Sequence, residues 1–194
     1  MTTTQQLINN EAVRPRRFSV DEFRRMTEAG ILPEESGWEV IDGFLVDKMT
    51  IGSRHASVVK RFTAFLYGVL GDRFTVAVQD PIHIDDYNEP EPDIAILKHR
   101  ADFYAEAHPS PADTLLVIEV SDSTISLDRE VKLGLYAEAG IPEVWLIDLK
   151  ANAVERHTSP DNGRYHSIEI IERGGTVASL SVKGLTAEAT DIIG

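Results

Sequence analysis

The amino-acid sequence predicts an α/β (α+β) fold built on a mixed β-sheet, and three stretches carry that reading. Leu115 to Val120 and Val144 to Ile147 are almost continuously apolar, as strands covered on both faces are. Between them runs a predicted helix, 127–139, closed by Gly140 in the position that helix C-termini favour. Strand, helix and strand in that order imply a right-handed parallel crossover. After Asp148 the chain alternates through Ala153–His157 and Tyr165–Ile171 about an Asn162-Gly163 turn, which predicts antiparallel closure of the same sheet.

The remaining elements follow in chain order. Residues 1–15 lack periodicity and are expected to form a flexible tail, which leaves 16–194 as a single domain large enough for a full core. Ser19-Val20-Asp21-Glu22 has the spacing of a capping box, so a helix is predicted after Ser19, ending at Gly30 with Pro33 beyond it. Trp38–Ile41 and Phe44–Val46 flank Asp42-Gly43 as the arms of a tight hairpin do. From Arg54 to Leu70, Val58, Val59, Phe62, Phe65, Leu66 and Val69 recur at helical spacing, and Gly71 ends the run. Phe74–Val78, Ile82–Ile84 and Ile94–Leu97 are short and rich in β-formers, with Pro81, Pro90 and Pro92 at their boundaries. Asp85, Asp86 and Glu89 are expected in a solvated hairpin loop, and Trp38 and Trp145 in the core or against the sheet.

Composition narrows the function. The absence of cysteine excludes disulfides, thiolate metal sites and cysteine nucleophiles. There is no leader pattern at the start and no apolar stretch of membrane-spanning length, so a cytoplasmic protein away from the membrane is expected. A formal net charge of −13 argues against casual nucleic-acid binding, since phosphate contacts draw on Lys and Arg. The charge is uneven, however: Arg14, Arg16, Arg17, Arg24 and Arg25 gather early, and Arg54, His55, Lys60 and Arg61 lie on or beside the long predicted helix.

Two apolar strands each carry one carboxylate, Asp93 before Ile94-Ala95-Ile96 and Glu119 within Leu116–Ser121, and Lys132 follows on the next helix. Desolvating an ionised carboxylate is costly, so each calls for a cation or a hydrogen-bonding partner. Two such groups on neighbouring strands with a lysine facing them form a hard-oxygen cage suited to Mg²⁺ or Mn²⁺. The residues alone leave plainer roles open: Asp93 as a strand cap after Pro92, Glu119 as a strand end bonded to backbone, and Lys132 as a surface partner of Asp128 one turn away.

The series Trp38–Gly43, Ser53-Arg54-His55, Pro92-Asp93, Ile118–Thr124, Asp128–Lys132, Tyr136 and Gly140–Trp145 resembles the Uma-two family of putative restriction endonucleases, within the PD-(D/E)XK nuclease superfamily. The resemblance covers residues 18–190. It implies a restriction-endonuclease-like mixed sheet flanked by helices, a divalent metal at the open edge of the central strands, and phosphodiester hydrolysis of nucleic acid, with DNA the expected substrate and a homodimer the expected form for cutting two strands. Asp93 and Glu119 are implied as catalytic metal ligands, Glu39 as a further acidic residue at the ion, and His55 and Ser121 as substrate or supporting groups. The chain departs from the superfamily pattern where a lysine is expected two residues after Glu119, because that position is Ser121. Lys132 is the implied replacement, with Asp128 holding it and Tyr136 sharing its helix face or simply packing. The readings that remain are a metal-dependent nuclease, a catalytically silent binding or regulatory protein on the same fold, and a hydrolase of another phosphodiester.

Overall fold

The computed structural model describes residues 15–32, 37–47, 52–122 and 125–194. Of the expected tail only Pro15 lies among them, and Pro33, Ser123 and Thr124 lie outside. The contacts gather into two compact units, a smaller one from 1–48 and 85–89 and a larger one from 49–84 and 90–194.

In the smaller unit, helix α1 (Val20–Glu28) starts at the expected capping box, with the Glu22 N–H donating to Ser19 Oγ at 3.1 Å and the Ser19 N–H donating to Glu22 Oε2 at 3.1 Å. Strands β1 (Trp38–Ile41) and β2 (Phe44–Asp47) form the expected hairpin. Asp42 and Gly43 both take left-handed backbone, φ 51° and 73°, as a two-residue turn between twisted strands requires. The 85–89 segment docks on this hairpin: Glu89 N–H donates to Val40 O at 2.8 Å, and Asn88 Oδ1 accepts the Asp42 N–H at 2.7 Å. Asp85 and Asp86 are exposed as expected, but Glu89 is not in a solvated loop. Its pairing with β1 draws it inward, where it meets Arg24 at 2.5 Å.

The larger unit is a six-stranded mixed sheet in the order β3 (Phe74–Val78), β4 (Ile94–Lys98), β5 (Thr114–Ser121), β6 (Glu143–Asp148), β7 (Ala153–Asp161) and β8 (Arg164–Glu172). The β5–β6 pair is parallel and the others antiparallel, so the predicted crossover and closure are both present. Helix α2 (Ser53–Leu70) packs Val58, Val59, Phe62, Leu66 and Leu70 against Ile94, Ile96, Leu116, Ile118 and Trp145. On the opposite face lies α3, spanning 125–138, whose Tyr136 and Ala137 pack with Ala95, Leu97, Val117 and Val144. The near-continuous apolar runs of β5 and β6 thus record burial on both faces.

Three features differ from expectation. Ile82–Ile84 is not a strand: Ile82 N–H donates to Pro90 O and His83 N–H to Pro109 O, each at 2.9 Å, and the prolines at 81 and 90 have no N–H to carry a ladder. Helix α3 is not uniform, because a π-helical turn, Asp128–Lys132, separates Ile125–Leu127 from Leu133–Glu138. A C-terminal hairpin, β9 (Thr176–Ala178) with β10 (Thr186–Glu188), and helix α4 (Ala189–Ile193) were not foreseen, and they close the α2 face with Val177, Val182, Leu185 and Ile192. Buried Glu143 anchors this segment by accepting from Ser179 Oγ and the N–H groups of Leu180 and Ser181, while its other oxygen takes the Trp145 indole N–H. Among the described residues no helix is long and apolar enough to cross a membrane.

Candidate active site

Sheet register builds the centre of the site. Ile94 pairs with Ile118, so Asp93 and Glu119 stand side by side where β4 begins and β5 approaches its end. The Asp93 N–H points at Glu119 Oε2 at 3.4 Å, and the Val120 N–H donates to Asp93 Oδ2 at 2.9 Å. Glu119 and Ser121 share the face of Val117 by strand alternation, the face that α3 covers.

From α3, Lys132 Nζ approaches Glu119 Oε1 at 3.3 Å and the Tyr136 hydroxyl donates to the same oxygen at 2.7 Å. Asp128 accepts a short hydrogen bond from Ser121 Oγ. In the π turn Leu133 N–H reaches back five residues to Asp128 O, a widened turn that recurs at functional sites. Asp128 and Lys132 are both buried, at 5% and 3% exposure, so they are not a surface pair. Tyr136 packs as expected and also holds Glu119, a contact that apolar packing alone does not predict.

His55, in the first turn of α2, places Nε2 2.9 Å from Asp93 Oδ1. Burial works against protonation of the ring, but the hydrogen bond and charge of Asp93, with Glu119 and Asp128 further off, outweigh it and raise the His55 pKa. Burial likewise opposes charge on Asp93. The His55 contact, the Val120 N–H and Lys132 prevail, and its carboxyl titrates below the ordinary aspartate value. Glu39 belongs to the smaller unit and is buried on β1.

The structure therefore brings together Asp93, Glu119, Lys132, Tyr136 and His55, with Ser121 and Asp128 alongside on β5 and α3. Among the described residues no group of three or more His, Asp or Glu side chains is arranged to hold a metal ion. The donors fit Mg²⁺ or Mn²⁺ by chemistry: two carboxylates from adjacent strands supply hard oxygens and leave the other positions to water and phosphate, as such ions usually require.

The fold is similar to the crystal structure of a putative nuclease belonging to DUF820 from Anabaena variabilis ATCC 29413, with a TM-score of 0.72 and 19% identity, covering 91% of this chain and 97% of that one. No curated protein matched the chain. The description "Putative restriction endonuclease" belongs to the Uma2 family, whose pattern matches residues 20–190, and the resemblance read from the motifs is thereby borne out. With that match running through both β4–β5 carboxylates and the α3 lysine, the chain belongs to the Uma2 family.

Proposed function

We propose that the protein is a divalent-metal-dependent endonuclease that hydrolyses phosphodiester bonds in nucleic acid, with DNA the expected substrate. The observation that carries this reading is Lys132, a buried ammonium brought from α3 to the β5 carboxylate where the strand itself offers Ser121. Asp93 and Glu119 would hold Mg²⁺ or Mn²⁺, which when bound supplies Lewis-acid polarisation of the phosphate and acidifies water.

Every other part of the chemistry falls to the chain. Lys132 orients the attacking water through its N–H donors and stabilises negative charge developing on the phosphoryl oxygens. Its contact with Glu119 and the Tyr136 hydroxyl fix that carboxylate's rotamer. His55 and the Val120 N–H do the same for Asp93. Asp128, bonded to Ser121, fastens the π turn to the end of β5 and so positions Lys132. In this reading 16–194 acts as one domain, and cutting both strands of a duplex calls for a two-fold dimer.

The test has two parts. Calorimetry with Mn²⁺ should show binding to the parent and its loss in Asp93→Ala and Glu119→Ala. On a substrate the parent cuts, Lys132→Ala should bind Mn²⁺ yet turn over about 10²–10³-fold more slowly, and Lys132→Arg should restore little, since a planar guanidinium does not replace a compact ammonium. Parental turnover in Lys132→Ala would remove the residue from the chemistry.

A second reading has its own observation. Both Asp93 oxygens and Glu119 Oε1 already accept hydrogen bonds from the protein, which favours a catalytically silent nuclease fold that binds or regulates. Calorimetry separates the two, because a silent site of this kind takes no Mn²⁺.

A further inference from the structure

Beside the carboxylates a groove of about 430 Å³ runs between α2 and the edge strand β3, and nothing in the mechanism uses it. Ala56, Lys60, Thr63 and Tyr67 line it from one face of α2, at spacings of four, three and four residues, with Val78 and Gln79 opposite. That stretch of helix is roughly 16 Å long at 1.5 Å per residue. One end abuts the site: Ala56 follows His55, which is bonded to Asp93, and the Gln79 N–H donates to Asp93 O at 3.1 Å. Gln79 takes a left-handed backbone, φ 54°, uncommon outside glycine and often met where a ligand is held.

The chemistry of the lining is that of a ligand site, mostly apolar with a few polar groups. Tyr67 is 56% exposed, a large aromatic left facing solvent. Helix α2 also stands apart in charge: it carries Arg54, Lys60 and Arg61 with no Asp or Glu, in a chain of net charge −13. An anionic ligand is drawn to this helix, yet so few cations cannot track a long run of duplex phosphates. Affinity must then come from burying a base. A base paired in a duplex has to leave its stack to enter a groove, whereas an unpaired base stacks on an aromatic ring without that cost.

We propose that this groove seats an unpaired nucleobase of the strand whose phosphate lies at Asp93, with Tyr67 stacking on the base, Gln79 bonding its edge, and Lys60 meeting the adjoining phosphate. The proposal rests on the nuclease reading for the position of the scissile bond, and it makes single-stranded nucleic acid, or a frayed or mismatched stretch of duplex, the preferred substrate.

The test uses the full chain with Mg²⁺ and phosphorothioate-linked oligonucleotides carrying 2-aminopurine, as a DNA strand, an RNA strand of the same sequence, and a DNA duplex. Quenching of the 2-aminopurine should report binding of the single strand at least tenfold tighter than the duplex, and the DNA and RNA arms identify the sugar accepted. Tyr67→Ala should weaken single-strand binding tenfold or more and Tyr67→Phe should restore it. Ala64→Trp, which fills the groove from an exposed lining position, should weaken it likewise, with circular dichroism checking that each variant is folded. Parental affinity in both Tyr67→Ala and Ala64→Trp, or a preference for duplex, overturns the proposal. Cleavage is scored separately on ordinary phosphodiester strands. If the parent cuts but the groove variants bind unchanged, the groove falls and the nuclease stands; groove-dependent binding without cleavage leaves the groove and overturns the nuclease.

Discussion

At the scale of single residues the site turns on Glu119, a buried carboxylate whose Oε1 is shared by an ammonium and a phenol. A hydrogen bond to a charged acceptor is worth about 1.5–3 kcal/mol, so Tyr136→Phe should lower stability by that amount. Urea unfolding at pH 7 measures it, and an unchanged midpoint would show that the phenol oxygen carries none of the load. Asp93, Glu119 and Lys132 stood out in the sequence because a charge inside an apolar strand, and a lysine on the next helix, are unusual on their face. Tyr136 and His55 entered only through the family resemblance, since an aromatic or a histidine on an amphipathic helix reads equally well as packing. Only the distance to a carboxylate separates those meanings.

Among the elements, α3 decides most. Its π turn carries Asp128 and Lys132 on the buried side while exposing Val131, and the i,i+4 spacing seen in the sequence would equally have suited a surface pair on a regular helix. Deleting Val131 should convert the turn to ordinary α-helix, rotate Asp128 away from Ser121 and cut nuclease turnover at least as far as Lys132→Ala does. Circular dichroism should stay helical, and retained turnover would show that the widened turn is incidental. The other side of α3 is tied to β7 by Arg129, which pairs with Glu155 and reaches Asp148. The hydrogen bond with His157 comes first in holding the Glu155 carboxyl below its ordinary value, burial opposes it, and Arg129 adds to it. A lowered folded pKa means that this stabilisation is complete above the ordinary value of 4.5 and is lost as pH falls from there through the folded value. Glu155→Gln should therefore flatten the acid side of the stability–pH curve below about pH 4.5, measured by urea midpoints; a slope equal to the parent's would remove Glu155 from the acid transition.

For the whole molecule the governing quantity is a net charge of −13 against a local excess of cations on α2. With two or three phosphate contacts from Arg54, Lys60 and Arg61, the slope of log K against log salt for a single strand should be about −1.4 to −2.1. Anisotropy across a sodium chloride series reads it directly. A much steeper slope would place many more basic residues on the strand than α2 supplies.

By itself the sequence determined the strands and helices from 20 to 172 other than Ile82–Ile84, the parallel crossover at β5–β6, the turns at Asp42-Gly43 and Asn162-Gly163, and the family, because these rest on local periodicity, turn chemistry and residue order. It also pointed to the pair of strand carboxylates, since their cost is visible wherever the flanking residues are apolar. The tertiary structure alone decided that Ile82–Ile84 is no strand, that Glu89 and Glu39 are buried, that a hairpin and short helix close the α2 face, and that His55 and Tyr136 meet the carboxylates. Each depends on a partner far away in the chain, whether a β1 carbonyl, a proline carbonyl or a carboxylate on another element. Burial and hydrogen bonding of that kind are set by the packed fold, and no local pattern encodes them.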